Sequence, residues 1–399
     1  MRPDTGRQPG CQSRTRRPHS GNVEATMRTP RCLRAACSVA LLGGLTALST
    51  PASADTLGVG GPLLSRAGIV IAPDAPALPT GVSASGWLVA DLDTGDVLAA
   101  RNAHARFAPA STLKTLTALT LIPRLDPTSS AIPTLQDVSV DGTRVGLVEH
   151  VRYPIPQLFT AMLIVSGNDA ANTLATRAGG IPQTVAAMNA EARRISAFDT
   201  HAATPNGLDA PGQISSPYDL ALIARAAMAL PDFARYVATK HSSILGPRGR
   251  IAISSHDKLL YNYPGAIGIK NGFTVKARAS FVGAARRNGH TLVVTLMHTN
   301  PRYWPEAAAL LDWGFKAEHA GVTPIGTLVA PGTTADSEAA SVPVDTGPIQ
   351  AANGLTGGTT ADGTPVLPAA VVGFGLLAVG GGVLRSRRRA SGGAPTRRS

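Results

Sequence analysis

The sequence predicts an α+β fold in which both ends of one domain contribute strands to a single antiparallel sheet. Strand patterns lie at 86–100 and again at 265–297, and helical patterns dominate 111–238 between them. Because strands flank a helical middle segment, the first and last strands are expected to pair with one another. The span from the first to the last pattern suits one large domain.

A β-hairpin and a buried helix are the first elements predicted. Gly86–Asp91 and Asp96–Ala100 are strand-like runs, and Leu92-Asp93-Thr94-Gly95 between them is typical of a tight turn. A helix is expected to begin at Pro109 or Ser111 and to continue through the apolar residues that follow.

Three short strands and a helix complete the predicted domain. The strands are Gly265–Lys270, Ala279–Ala284 and Thr291–Met297, and the helix is Pro305–Phe315. Asn-Gly pairs at 271–272 and 288–289 are predicted to form turns after the first and second of these strands.

The formal net charge of +12 is concentrated at the two ends of the chain. Residues 1–54 hold eight arginines against Asp4 and Glu24, and 385–399 holds six arginines without an acid. The rest of the chain is balanced, so its charge does not indicate a nucleic-acid surface. No nucleic acid is expected as a partner.

Residues 1–54 are predicted to be a secretory signal peptide that is cleaved after Ala54. An apolar run follows a basic segment and ends in Ala52-Ser53-Ala54. Met27 is an alternative start of the chain, because the residues before it contribute nothing to such a signal.

The cysteine and histidine content argues against metal or thiol chemistry. All three cysteines precede the predicted cleavage point: Cys11, Cys32 and Cys37. The mature chain would then have no disulfide and no cysteine ligand. The nine histidines include no H-x-x-x-H pair. No metal and no cofactor is expected.

The C-terminal part is predicted to anchor the protein in a membrane. Residues 366–384 are uncharged and would span roughly 28 Å as a helix, close to the ~30 Å of a bilayer core. The basic tail 385–399 favours a cytoplasmic end, with everything before it outside. A buried core helix is the alternative, because the segment is rich in glycine.

The predicted order of segments after the signal peptide is a Pro/Gly-rich lead (55–80), the folded domain (81–321), a flexible stalk (322–365) and the membrane anchor. The protein is therefore expected to cross the membrane once, with its folded domain outside the cytoplasm.

Three short motifs in a fixed order indicate a serine acyl-transfer site. They are Ser111-Thr112-Leu113-Lys114, Ser166-Gly167-Asn168 and Lys270-Asn271-Gly272-Phe273-Thr274. The first places a hydroxyl and an amine three positions apart, so on a helix they project from one face as a nucleophile and a base. The second adds a hydroxyl and an amide. The third adds a cation and a glycine that lets backbone approach a ligand.

A second S-x-x-K run, Ser255-His256-Asp257-Lys258, has no such apolar helix after it. We interpret this second run as structural, because the pattern also occurs by chance.

With these motifs in this order, the chain resembles the penicillin-binding D-alanyl-D-alanine carboxypeptidases, the serine DD-peptidases of the low-molecular-weight type. The resemblance covers about 87–315, and four further runs support it: Val165–Ala171, Thr204–Asp209, Ser254–Tyr263 and Leu311–Phe315. It implies the DD-peptidase/β-lactamase-like fold. It also implies peptidoglycan stem peptides as substrates and β-lactams as acylating inhibitors.

The resemblance implies a role for each residue of the first two motifs. Ser111 would attack the carbonyl between two terminal D-alanines, and water would hydrolyse the resulting acyl enzyme. Lys114 would be the base, so its pKa must fall from ~10.4 toward roughly 7 or 8. Partial burial and the positive charge of Lys270 would lower it. Ser166 would pass a proton to the leaving amine, and Asn168 would hold Lys114 and the substrate amide.

The third motif is implied to bind the substrate. Lys270 and Thr274 would contact its carboxylate, and Gly272 would let the strand approach closely. The backbone N–H groups of Ser111 and Phe273 would form the oxyanion hole.

Asn271 departs from the family pattern, which usually has Thr at this position. An amide can also donate a hydrogen bond, so we expect activity to survive and the affinity for β-lactams or pentapeptide to change. Arg278 is a candidate for added positive charge near the carboxylate, or else a solvated strand residue.

Two other functions remain open at this point. A class A β-lactamase shares the fold, but it needs a glutamate in an E-x-x-L-N context. Glu191 is the only glutamate between the second and third motifs, and it lies in a different context. Slow release of a bound β-lactam is therefore expected. A catalytically weak, membrane-tethered sensor or wall-binding protein is the second alternative, because of Asn271.

Overall fold

The computed structural model describes residues 59–333 of the protein. The strands in this range are β1 (Ile69–Ile71), β2 (Gly86–Asp91), β3 (Asp96–Arg101), β4 (Ser130–Ala131), β5 (Tyr153–Pro154), β6 (His241–Gly246), β7 (Gly249–Ser254), β8 (Ala266–Thr274), β9 (Arg278–Arg287), β10 (His290–Thr299) and β11 (Gly326–Thr327).

The helices lie mostly in the middle of the chain, between β3 and β6. They are α1 (Lys114–Leu121), α2 (Leu135–Val138), α3 (Ile155–Ile164), α4 (Asn168–Arg177), α5 (Ile181–Arg194), α6 (Pro217–Met228), α7 (Pro231–Val237), α8 (Lys258–Asn262) and α9 (Trp304–Ala320). Two 3₁₀ turns, Ala110–Leu113 and Ile122–Arg124, flank α1.

One seven-stranded antiparallel sheet joins the two ends of the domain, as the sequence predicts. Its order is β1-β3-β2-β10-β9-β8, with β11 beside β3. The early strand β2 pairs with the late strand β10, and Val89 lies opposite Val294. The predicted α+β fold is confirmed.

Helices cover both faces of this sheet. Gly314 of α9 lies so close that an added Cβ would sit 2.8 Å from Leu292 and 2.9 Å from Val89. On the other face, Thr295 of β10 donates a hydrogen bond to the Pro217 carbonyl at the start of α6. The helix α1 is buried along its whole length. It packs against α5 and α6 in the helical half of the domain.

One prediction about the strands is wrong, and one hairpin was missed. Asn271-Gly272 is not a turn: β8 continues through it to Thr274, because β9 pairs with the whole segment and Gly272 lies opposite Ser280. The hairpin of β6 and β7 was not predicted at all. The second Asn-Gly pair does form a turn, and both Asn288 and Gly289 have positive φ.

The packed region extends beyond the predicted domain, 81–321. On the N-terminal side, β1 pairs with β3 and Leu64 is buried, so part of the predicted lead belongs to the core. On the C-terminal side, β11 also pairs with β3, and Leu328 is buried. The predicted stalk therefore cannot begin at 322.

Several predicted segments lie outside the described residues: the signal peptide (1–54), most of the stalk, the membrane helix (366–384) and the basic tail (385–399). Within 59–333, no helix combines the length and the hydropathy of a membrane span.

Candidate active site

The first motif lies on a 3₁₀ turn that leads directly into α1. Ala110 has a φ of 49°, and the Pro109 carbonyl accepts hydrogen bonds from Thr112 Oγ1 and from Ser280 Oγ, both at 2.6 Å. These contacts attach the turn to β9. Because residues three apart align in a 3₁₀ turn, Ser111 and Lys114 face each other. Their Oγ and Nζ atoms are 2.9 Å apart.

Three oxygen atoms surround Lys114 Nζ, and all belong to uncharged groups. They are Ser111 Oγ at 2.9 Å, Asn168 Oδ1 at 2.7 Å and the backbone oxygen of Asn206. The amide and backbone oxygens can only accept, so they take both N–H groups of a neutral amine. When the amine is neutral, its lone pair faces Ser111 and the serine hydroxyl can donate a hydrogen bond to it. This arrangement can remove the serine proton.

The surroundings of Lys114 favour the neutral amine. Its side chain is completely buried, and this burial, followed by the positive charge of Lys270, lowers the pKa of Lys114 well below its usual value. The carboxylate of Asp169 opposes the shift. The predicted direction is confirmed, but burial is complete rather than partial and has the larger effect.

Lys270 has a lowered pKa of its own. It is buried on β8, and this burial lowers its pKa to about 7, while the negative charge of Asp257 opposes the change. Its Nζ donates to the backbone oxygen of Asn271 at 2.7 Å and lies 3.4 Å from Asn271 Oδ1. The ammonium charge of either lysine disfavours protonation of the other, so Lys114 and Lys270 titrate as a coupled pair.

The second motif lies in a strained loop at the start of α4. Ser166 has a φ of 63°, a left-handed conformation that is uncommon for a residue with a side chain. Asn168 Nδ2 donates to the Asp141 carbonyl at 2.7 Å, which directs its Oδ1 to Lys114. Asp169 then accepts hydrogen bonds from three successive backbone N–H groups, 145–147. These contacts fix the loop beside α4.

Two glycines allow backbone to pack directly against Ser111. A Cβ on Gly272 would lie 2.7 Å from the Ser111 nitrogen, so β8 passes immediately beside Ser111. Gly207, with a φ of +80°, lies against the Ala110 carbonyl, where a Cβ would be 2.2 Å from the oxygen. No larger residue fits either position without displacing the turn.

Phe273, Thr274 and the nearby Arg278 do not contact Lys114. The Phe273 side chain is 59% exposed. Thr274 Oγ1 donates to Asp209 Oδ1 at 2.9 Å and accepts from the Ala277 N–H at 3.0 Å, so both functions of the hydroxyl are used. Arg278 is exposed and donates to Asn300 at 2.9 Å.

Sequence reasoning missed three groups that shape this site. The Asn206 carbonyl holds Lys114, Asp169 fixes the loop, and Asp257 acts on Lys270. The Thr204–Asp209 run was a signal for the first of these. The second S-x-x-K run is structural, as predicted: Asp257 accepts from the Leu259 N–H at 2.9 Å and so caps α8.

Comparison with known proteins relates the chain to one family. The family model for D-alanyl-D-alanine carboxypeptidases (Peptidase S11) matches residues 72–300. The carboxypeptidase DacB2 of Mycobacterium tuberculosis is 45% identical over 256 residues, which cover 62% of this chain and 86% of that one. DacD of Salmonella typhimurium is 32% identical, over 63% of this chain and 67% of that one.

Solved structures show the same fold. A penicillin-binding protein homologue of Mycobacterium tuberculosis superimposes with a TM-score of 0.61 at 42% identity, over 66% of this chain and all of that one. The Streptomyces K15 DD-transpeptidase gives a TM-score of 0.57 at 26% identity, over 60% of this chain and all of that one.

The Gly207→Ala substitution tests whether the turn around Ser111 is held in place sterically. The added methyl group collides with the Ala110 carbonyl, so we expect the rate at which the protein reacts with a fluorescent penicillin to fall about 100-fold. The matched control is Gly179→Ala, because Gly179 also has positive φ but no atom within 4 Å of an added Cβ. Equal rates in the two variants would contradict the steric explanation.

Proposed function

The chain belongs to the D-alanyl-D-alanine carboxypeptidase family, a family of serine hydrolases, and on that basis we propose that it removes the terminal D-alanine from peptidoglycan stem peptides through an acyl enzyme on Ser111. The observation that carries this proposal is the contact of Ser111 Oγ with a buried lysine amine at 2.9 Å. A hydroxyl next to a neutral amine is a nucleophile with its base.

In the first step, Ser111 Oγ attacks the carbonyl carbon of the peptide bond between the two D-alanines. Its proton passes to the lone pair of Lys114, which becomes an ammonium group held by Asn168 and Asn206. The negative charge that develops on the carbonyl oxygen is stabilised by the backbone N–H groups of Ser111 and Phe273. Losing one such donor typically costs ~3 kcal/mol of barrier.

In the second step, the C–N bond breaks and the leaving amine takes up a proton. Ser166 passes this proton from Lys114 to the amine, and D-alanine departs. Water then attacks the ester on Ser111, again with Lys114 as the base. The left-handed backbone of Ser166 supports this role, because strained conformations cluster at functional sites.

Lys270 binds the carboxylate of the terminal D-alanine. Lys270 Nζ contacts Asn271 at two oxygens, and the third N–H group of its ammonium can donate to the substrate carboxylate. Because a bound carboxylate favours the charged ammonium, it raises the pKa of Lys270, and the positive charge in turn holds Lys114 neutral. Asn271 and Thr274 border this position, and Asp209 must release the Thr274 hydroxyl before that hydroxyl can bind the carboxylate.

A D-alanine release assay tests the proposed function. Full-length protein and its Ser111→Ala variant are incubated with a stem pentapeptide, and free D-alanine is measured. We expect release by the natural protein and none above background by the variant, with the exposed Ser139→Ala as a control that keeps activity. Release by Ser111→Ala equal to that of the natural protein would contradict the assignment of the nucleophile.

The pH dependence of kcat/KM tests the roles of the two lysines. Activity needs a neutral Lys114 and a charged Lys270, so a plot of kcat/KM against pH is expected to be bell-shaped. Its alkaline limb should fall at about pH 7, where Lys270 of the free enzyme loses its proton. In kcat the alkaline limb moves to higher pH, because the bound carboxylate raises the pKa of Lys270.

The Lys270→Arg variant is the control for this profile. Arginine stays protonated, so its kcat/KM profile keeps the acid limb and loses the alkaline one, whatever its absolute rate. An alkaline limb at the same pH in both proteins would show that another group produces it.

The structure supports a carboxypeptidase over a β-lactamase. Both carboxylate oxygens of Glu191 accept from Arg194, at 3.0 and 2.6 Å, so this glutamate is an ion-pair partner on α5. We expect the acyl enzyme formed with penicillin to persist, with turnover below about one per second. Mass spectrometry of the adduct over time measures its lifetime, and turnover at many per second would contradict this expectation.

We also propose that the enzyme is exported and held in the cell membrane by 366–384, with its catalytic domain outside. The apolar run and the arginines that follow it support this. Cells that make the full chain should retain activity in the washed membrane fraction, whereas a form that ends at Pro365 should release it. Equal release of both forms would contradict the anchor.

A further inference from the structure

A separate cluster of potential metal ligands lies at the far end of β2 and β10. Asp91, His290 and Glu318 each offer one ligand atom, and these atoms all lie within 4.8 Å of one another. His290 Nδ1 is 2.8 Å from Asp91 Oδ2 and 3.7 Å from Glu318 Oε2. The three residues come from three elements, β2, β10 and α9.

The cluster holds more negative charge than its neighbours balance. Asp91 is completely buried, and its Oδ1 already accepts from the Asp93 and Thr94 N–H groups. The pKa of Glu318 is raised by burial and then by the like charge of Asp91. Two carboxylates therefore share one imidazole. Glu318 also lies in the last turn of α9, where the helix dipole favours a cation over an anion.

Nearby basic side chains do not neutralise this charge. Arg225 donates to backbone oxygens, including that of Leu92, and Arg286 donates to Thr291 Oγ1 at 2.8 Å. Within 59–333, His290 is the only basic residue with a nitrogen within 4.0 Å of the Asp91 or Glu318 carboxylate.

From this geometry we propose that Asp91 Oδ2, His290 Nδ1 and Glu318 Oε2 bind a divalent transition-metal ion. One imidazole and two carboxylates are ligands that suit Mn²⁺ or Zn²⁺. Ligand atoms about 3 Å apart fit around an ion at ~2.1 Å, so the His290–Asp91 spacing already suits an ion once the imidazole turns toward it, and Glu318 must move closer. His290 and Glu318 are partly exposed, so water completes the coordination.

The ion would have a structural role. It would replace the Asp91–His290 hydrogen bond by two metal–ligand bonds and join the central strands to the end of α9. No residue of the proposed active site takes part, so binding is independent of the proposed function. The bound state should therefore unfold at a higher temperature, whether or not the protein releases D-alanine.

Mn²⁺ is the probe of choice, because thiolates such as those of the three cysteines favour softer metals. Untagged full-length protein is titrated with Mn²⁺ alone, and the free ion is followed by electron paramagnetic resonance. We expect one bound equivalent and a rise in Tm of roughly 5–10 °C at about 100 times Kd.

Conservative variants assign the ligands. Glu318→Gln and His290→Asn should each weaken Mn²⁺ binding about tenfold or more and, at the same Mn²⁺ concentration, reduce the rise in Tm to about half or less. The matched control is Glu149→Gln, because Glu149 lies 3.3 Å from the exposed His150, and within 59–333 no second carboxylate lies within 4.0 Å of that imidazole. This control should bind Mn²⁺ like the natural protein.

Two results would overturn the proposal: no bound Mn²⁺, or binding that Glu318→Gln and His290→Asn leave unchanged. Circular dichroism of both variants without metal establishes that they are folded. If either variant is not folded, Glu318→Asp replaces it in the test. The shorter aspartate places the carboxylate farther from His290 and Asp91, so this variant should bind Mn²⁺ more weakly.

Discussion

Two lysine side chains, Lys114 and Lys270, are buried in one site and lose the water that would stabilise their ammonium groups. In the unfolded chain both stay protonated up to about pH 10. For Lys270, the fall in pKa to about 7 makes the folded state about 4 kcal/mol less stable at pH 7. This penalty becomes smaller as the pH rises, because the unfolded chain then also loses the proton. The large shared core offsets this cost. The chemistry proposed for Ser111 depends on it, because a solvated lysine would remain charged and could not accept a proton.

The surrounding structure maintains this electrostatic balance at several points. Among residues 59–333, the oxygens that contact Lys114 Nζ are all neutral, whereas Asp169 and Asp257, the carboxylates that affect the pKa values of the two lysines, bind backbone N–H groups. A carboxylate in direct contact with Lys114 would stabilise the ammonium form. The neutral partners come from separate segments, one at the start of α4 and one in the loop before α6. The surroundings of Lys114 therefore form only when these segments have packed against α1.

The sequence predicted the parts of the site that depend on local spacing. Ser111 and Lys114 face each other because they are three residues apart on a tight turn, and Asn168 reaches Lys114 from a recognisable loop. The lowered pKa of Lys270 could not be predicted, because it results from burial by residues distant in sequence. Likewise, β8 continues through Asn271-Gly272 because β9 pairs with it. The turn propensity of two residues cannot predict pairing with a strand elsewhere in the sequence. The edge strands β1 and β11 are too short to recognise without the strand that they pair with.

The position of hydrogen atoms in the free enzyme tests the central claim most directly. Neutron diffraction from crystals exchanged into deuterated buffer near pH 7 locates the deuterons on Lys114 Nζ and Ser111 Oγ. A neutral base requires two deuterons on Nζ, directed to Asn168 Oδ1 and to the Asn206 oxygen, with the Ser111 deuteron directed to Nζ. Three deuterons on Lys114, one of them directed to Ser111 Oγ, would contradict the account, because a protonated lysine cannot activate the serine.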